Sequence, residues 1–381
     1  MDRRRAFGWI ALTATLGVGC FPDDALRTDA GGDAVSDLGP RDATVTDGGV
    51  LDAPGLDDVE AGLPADMGVP DAGPDDAVDA SDSGPVVEGP ACEMAPASAA
   101  SRLLLDGLTG ARDFAFDGTG GVAVAQGSTV VMRRGSDSTP VTMVMPGEVV
   151  ALRYTRTAGL MLAVFNNTGM GTSNGAIYQV APGATTATVR QGGLRQPGGL
   201  AVDADNNVWF SDTAAPVVDG GTRFGLIYRM PADPGGEAAR VVVTDVPSPT
   251  QLLVDAAGRY LFVARSDTNT VMRVELAPAD GGAIGAAMEF VGGFSRVSGL
   301  AQDECGNVYV ADEIVDRVWR VPILAGVSVR VVTDVRGPRS LMFGAGAPFG
   351  PRELYALSST DGTLRGANVV VRGVPQVVPA R

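Results

Sequence analysis

The sequence predicts an all-β fold, a six-bladed β-propeller preceded by a signal peptide and a disordered acidic tether. Three observations predict it. From Ser101 onward, short alternating runs of Val, Leu, Tyr and Phe stand between Gly, Pro, Asn and Asp, the pattern of strands and turns in close succession. The stretch "RQPGGLAVDADNNVWFSDT" (Arg195 to Thr213) recurs as "SPTQLLVDAAGRYLFVARSDT", "SRVSGLAQDECGNVYVADE" and, more loosely, "TGARDFAFDGTGGVAVAQGS". Six such units fill residues 101–378 at about 46 residues each, and a four-strand unit of that period marks a propeller blade. A β-sandwich would account for the strands but not for the repeat.

Residues 1–20, "MDRRRAFGWIALTATLGVGC", join a basic start (Arg3, Arg4, Arg5) to an apolar stretch too short to span a bilayer stably. They read as a signal peptide. The small residues ahead of Cys20 resemble a bacterial lipoprotein signal, with Gly17 where leucine is usual and Leu16 one place further back. Cys20 would then be the lipidated first residue. An ordinary secretory signal with an incidental cysteine is the alternative. Residues 21–92 are rich in Asp, Gly, Pro, Ala and Val, with one aromatic, Phe21. Such a segment cannot bury enough apolar surface to offset chain entropy and should stay disordered, as a spacer. It carries the chain's charge: residues 21–90 hold 18 acids against Arg27 and Arg41, a net −16 that equals that of the whole chain. Its aspartates lack the fixed spacing of a calcium loop.

The propeller occupies residues 93–381. In each unit an innermost strand such as "GLAVD" precedes a turn, a second strand "NVWFSD", a third "GLIYRMP" and an outer "RVVVTDV". Asp117, Asp203, Asp255 and Asp303 anchor the repeats. A degraded copy, "VVALRYTRTAGLMLAVF", supplies blade two, and "RSLMFGAGAPFGPRELYALSS" opens blade six. The strand over 101–106 precedes the first innermost strand. It is therefore the outer strand of blade six, paired around Leu364 to Val371, and it closes the ring.

Outside the tether the charges balance, which argues against nucleic-acid binding. The chain has no His, and all 29 of its basic residues are Arg. That excludes His general bases, Ser-His triads, Schiff-base lysines and His-ligated zinc or copper. Any metal site would rest on Asp, Glu, Asn or backbone oxygens, which suits Ca²⁺ or Mg²⁺.

The segments "QPGGLAVDADNNVWFSDT", "SPTQLLVDAAGRYLFVA", "VSGLAQDECGNVYVAD" and "RSLMFGAG" resemble, in blade character and blade order, the gluconolactonase/regucalcin-like six-bladed propellers, and more loosely the NHL-repeat propellers. The resemblance covers about residues 103–372. It implies a divalent-metal-dependent lactonase or related hydrolase. It also implies a channel metal held by a Glu from the first blade, Asn residues from middle blades and an Asp from a later blade, each at the start of an innermost strand. Those positions here are Arg112, Gly198, Thr250 and Ser298, each five places before an anchor aspartate. The same slot in the remaining two blades is Val150 and Arg339. No carboxylate and no amide stands at any of the four, so the resemblance supports the fold and not the lactonase chemistry.

Arg112 and Arg339 belong to neighbouring blades of a closed ring, which places them side by side at one rim of the channel. Two guanidinium groups favour a carboxylate, sulfate or phosphate. The alternative is that each stacks on a neighbouring strand or pairs with a loop acid such as Glu148 or Asp113. Asp212 and Asp312 end second strands and read as acceptors for neighbouring backbone. Cys92 and Cys305, in an exported chain, read as a disulfide, with two unpaired thiols as the alternative. The turn "DECGN" holding Cys305 and the start of the strand from Ser101 both lie on the face opposite the slots. Two functions are compatible with these features. One is an exported, lipid-anchored, monomeric propeller, its channel mouth turned away from the membrane. It would bind a small anionic ligand or a protein partner without catalysis or cofactor. The other is a lactonase using Ca²⁺ or another divalent metal on displaced ligands such as Glu148, Asp212 and Asp312.

Overall fold

The computed structural model describes Cys92 and residues 99–134, 140–166, 175–213, 224–233, 235, 237–276, 284–323 and 327–380. The expected signal peptide, Cys20 and residues 21–91 of the expected tether lie outside the described residues. Among the described residues the chain forms 24 strands and no helix. They group into six four-stranded antiparallel sheets, and five of the six use consecutive strands. The innermost strands are Ala111–Phe116, Glu148–Tyr154, Pro197–Val202, Pro249–Val254, Val297–Gln302 and Pro338–Phe343. Each is followed outward by its second, third and outer strand, as the repeat predicts.

The repeated aspartate sets the turn after the innermost strand in the blades that carry it. Asp203 Oδ1 accepts from the backbone N–H groups of Asp205 (3.0 Å) and Asn207 (2.8 Å). Asp303 does the same for Cys305 (3.0 Å) and Asn307 (2.9 Å), and Asp117 for Thr119 (2.7 Å) and Gly121 (2.8 Å). A side-chain oxygen two residues back replaces a backbone acceptor in such turns. In blades three and five the same carboxylate also takes Trp209 Nε1–H (2.8 Å) and Tyr309 O–H (3.1 Å) of the second strand. The motif therefore fixes turn and second strand together, which explains its repetition.

Burial falls from the channel outward. The second strand Val308–Asp312 is buried throughout, whereas the outer strands Val141–Val144 and Met288–Val291 are largely exposed. The apolar layers between blades hold them in a ring; Phe116 meets Phe349 and Tyr355 across the seam between blades one and six. Blade six is completed by the early strand as expected. Strand Ser101–Leu105 pairs antiparallel with Thr363–Asn368, in the register Ser101 with Ala367 and Leu105 with Leu364. Cys92 is bonded to Cys305, with Cα atoms 5.6 Å apart, and the Arg320 guanidinium donates to the Cys92 carbonyl.

One element has no counterpart in the repeat. From Val369 the chain leaves blade six and runs as a strap across the face opposite the slots. Gly373 N–H donates to Pro351 O (2.8 Å), Val374 N–H to Gln302 O (3.0 Å) and Ala380 N–H to Arg156 O (2.8 Å). Val374 to Val377 line a cavity of about 80 Å³ together with the far ends of innermost strands, Arg153 and Leu300 among them. The strap thus lies over the far end of the channel. Val369 to Val371, expected in the closing strand's partner, already belong to it.

Candidate functional site at the channel mouth

The six slots share one backbone feature. In every innermost strand the ladder to the second strand shifts register between two residues: Ala111/Asp113, Val149/Ala151, Pro197/Leu200, Pro249/Gln251, Val297/Gly299 and Pro338/Ser340. The residues skipped are Arg112, Val150, Gly198 with Gly199, Thr250, Ser298 and Arg339. Each slot is a β-bulge. A bulged residue is left out of the ladder and its side chain is re-aimed. The sheet therefore places no demand on it, and the slot varies while its surroundings repeat. All six slot residues line a single cavity of about 270 Å³ at the mouth of the channel.

The slots are chemically dissimilar. Ser298 Oγ lies 2.8 Å from Pro338 O and 3.4 Å from Ala311 O, and Thr250 Oγ1 donates to Ala264 O (3.2 Å). A hydroxyl has one hydrogen, so both are committed to backbone. Gly198 sits where blades three and four touch. A Cβ there would stand 2.8 Å from Ser211 Oγ and 3.0 Å from Pro249 O, so this slot has no room for a side chain unless its neighbours move.

The two slot arginines share one mouth, and each is engaged by an acid. Arg112 Nε donates to Glu148, one of the two partners weighed from the sequence. Arg339 Nη1 donates to Glu313 Oε1 (3.3 Å), which also accepts from Ser359 Oγ (2.8 Å). Arg296 stands 3.6 Å from the other oxygen of Glu313. Burial is the largest cause holding the Arg339 pKa below the usual guanidinium value; Arg112 and Arg296 add to it, while Glu313 and Glu148 oppose it. The mouth thus gathers three arginines and two glutamates.

Asp113, the other acid weighed for Arg112, is fully buried and turned elsewhere. Its Oδ2 accepts from Arg153 Nη1 (2.6 Å) and Leu152 N–H (3.0 Å), and its Oδ1 from Phe114 N–H (3.0 Å) and the Ser340 hydroxyl. One carboxylate therefore ties blades six, one and two. Asp212 accepts from the backbone of Arg195 (3.1 Å) and Gln196 (2.7 Å), and Asp312 from Ser295 (3.0 Å) and Arg296 (2.8 Å). In blade four the equivalent residue, Arg265, pairs with Asp267 (2.6 Å).

Arg296 and Glu313 were not among the residues singled out from the sequence. Both follow from the repeat once a second ring is read. Two places before the slots stand Glu148, Gln196 and Arg296, and directly after the second strands stand Thr213, Ser266, Glu313 and Ser359.

Comparison with known proteins agrees with this architecture. No curated protein matches the chain. Among solved structures, a regucalcin from Agrobacterium tumefaciens, described as a calcium-binding protein, superposes with a TM-score of 0.59 at 15% identity, covering 74% of this chain and 97% of that one. A gluconolactonase from Xanthomonas campestris superposes with a TM-score of 0.55 at 16% identity, covering 71% and 90%. At such identities the likeness speaks to the fold. The family model for the SMP-30/gluconolactonase/LRE-like region matches residues 122–359, more than half of the chain, and this chain belongs to that family.

Proposed function

We propose that this chain is a non-catalytic member of its family: an exported, lipid-anchored monomer that binds a ligand or protein partner at the slot-face mouth, binds no nucleic acid, and has given up the channel metal. The observation that carries the proposal is the donor set. Ca²⁺ takes about six to eight oxygens, several of them charged. The four positions that resemble the family's ligands hold a guanidinium, a glycine and two hydroxyls whose hydrogens face backbone carbonyls. Among the described residues no three of Asp, Glu, His or Cys stand together as a metal-binding group. The slot residues do not fit a divalent metal.

The alternative ligands each already hold a partner, and they stand on separate blades. Glu148 accepts from Arg112, and Asp212 and Asp312 each take two backbone N–H groups. With no His or Lys in the chain, any general base would have to be a carboxylate or a tyrosine. Export and the lipid anchor rest on the basic start and on Cys20. The two relatives named above are described as a calcium-binding protein and a gluconolactonase; this chain shares their fold. Calorimetric titration with Ca²⁺ and Zn²⁺, alongside hydrolysis assays on sugar and acyl lactones, tests the reading. No binding at micromolar metal and no turnover are expected. Metal-dependent turnover of any lactone would overturn it.

A further inference from the structure

Each charged group at the mouth keeps bonding capacity in reserve. Among the described residues, Arg112 donates to Glu148 through Nε alone, which leaves its Nη1–Nη2 edge. Arg339 donates to Glu313 through Nη1 alone, which leaves its Nε–Nη2 edge. A complete edge is what a carboxylate needs for a two-point contact. The acids are likewise half used. Glu148 accepts from Arg112 through Oε1, and Glu313 accepts from Arg339 and Ser359 through Oε1, with Arg296 at 3.6 Å from its Oε2, beyond hydrogen-bond range. Free N–H edges and free carboxylate oxygens therefore stand side by side on blades five, six, one and two. Across the cavity the wall is neutral, formed by Val150, Gly198 and Thr250.

This arrangement selects by charge pattern. A simple anion gains the arginines but approaches two glutamates. A simple cation gains the glutamates but meets three arginines. A molecule carrying both charges a few ångströms apart satisfies both sets at once. Resting on the binding role proposed above, we infer that the mouth recognises a small zwitterion, with its carboxylate on Arg112 and Arg339 and its ammonium on Glu313, all three of which line the cavity. A cavity of about 270 Å³ has room for a ligand of amino-acid size.

Three probes of one size test this on the full, disulfide-bonded chain: 4-aminobutyrate, butyrate and butylammonium, titrated by calorimetry at low salt. The zwitterion should bind at least about tenfold more tightly than either singly charged probe. Converting the cavity acid, Glu313→Gln, should reverse the order: 4-aminobutyrate weakens about tenfold and butyrate strengthens. Butyrate matching 4-aminobutyrate in the unmodified chain would overturn the zwitterion assignment while leaving a binding role intact, as would binding of none of the three. Metal-dependent lactone turnover would instead remove the non-catalytic reading beneath it.

Discussion

Asp113 shows what a single residue contributes to this ring. It is buried, it carries a charge, and its partners Arg153 and Ser340 come from the blades on either side. Removing one partner of a buried pair leaves the other charge uncompensated, at a cost of about 3–5 kcal/mol, whereas removing both is far milder. Arg153→Met should therefore lower stability by roughly that amount in urea unfolding, and Asp113→Asn with Arg153→Met should recover most of it. A loss below about 1 kcal/mol in Arg153→Met would show that the pair does not hold the seam. Gly198 gives a second outcome. Gly198→Asn restores the amide that the family resemblance implies, yet its Cβ meets Ser211 and the Pro249 carbonyl. Overpacking of this kind costs typically about 1–3 kcal/mol. The variant should melt lower, with no rise in Tm on adding Ca²⁺; a calcium-dependent rise would mean that the slot can still build a metal site. Four of the six slots were legible in the sequence because each lies five places before an anchor aspartate; Val150 and Arg339, which precede Thr155 and Gly344, followed from the blade alignment. The Asp113 cluster was not, because Ser340 and Asp113 are 227 residues apart and no spacing rule joins them.

Turns, bulges and the strap differ in how they are written. The turn aspartates repeat, so blade existence and order were readable, and the closing strand followed from strand order alone. Bulges leave no letter of their own; they show indirectly, as a position where the repeat stops constraining the residue. The strap, "VVVRGVPQVVPAR", looks like more strand, but its contacts are isolated hydrogen bonds to three different blades, and nothing periodic marks such an element. Its removal is informative. Truncation after Gly373 deletes the residues that cover the far cavity, and the exposed ends of the innermost strands should then bind a hydrophobic dye, with a lower Tm. Unchanged dye binding would mean that the strap covers nothing of consequence. The turns make a pH prediction. Burial pushes the Asp117 pKa up, but the N–H groups of Thr119 and Gly121 and the Arg134 guanidinium outweigh it and hold the carboxyl below its usual value. A depressed carboxylate adds stability above its unfolded pKa and loses it as pH falls through the folded one. Stability should accordingly drop below about pH 4, and Asp117→Asn should flatten part of that drop. An identical acid limb in the variant would assign the loss to other carboxylates.

At the scale of the whole domain, the two ends of the ring are held twice. Strand Ser101–Leu105 completes blade six beside the chain's last strand, so the propeller cannot close until both ends of the sequence are in place. Cys92, nine residues upstream of that strand, is bonded to the turn of blade five. The strap passes the same turn, where Glu304 N–H donates to Arg372 O (2.8 Å). The face opposite the slots therefore gathers the disulfide and the strap, and the charged mouth opens on the other face. The bridge spans 213 residues of sequence. Closing a loop of that length removes so much freedom from the unfolded chain that the chain-entropy estimate reaches about 5 kcal/mol, with measured effects commonly about 2–4. The bond also restrains the segment that feeds the closing strand, so its loss should loosen blade six before the others. Reduction, or Cys92→Ser with Cys305→Ser, should lower urea stability by at least about 2 kcal/mol. Amide exchange should quicken first in Ser101–Leu105 and Thr363–Asn368, while the second strands of blades two to four keep their protection. Uniform acceleration across all six blades would show that the ring opens as one unit and that the bridge stabilises it globally, not at the seam.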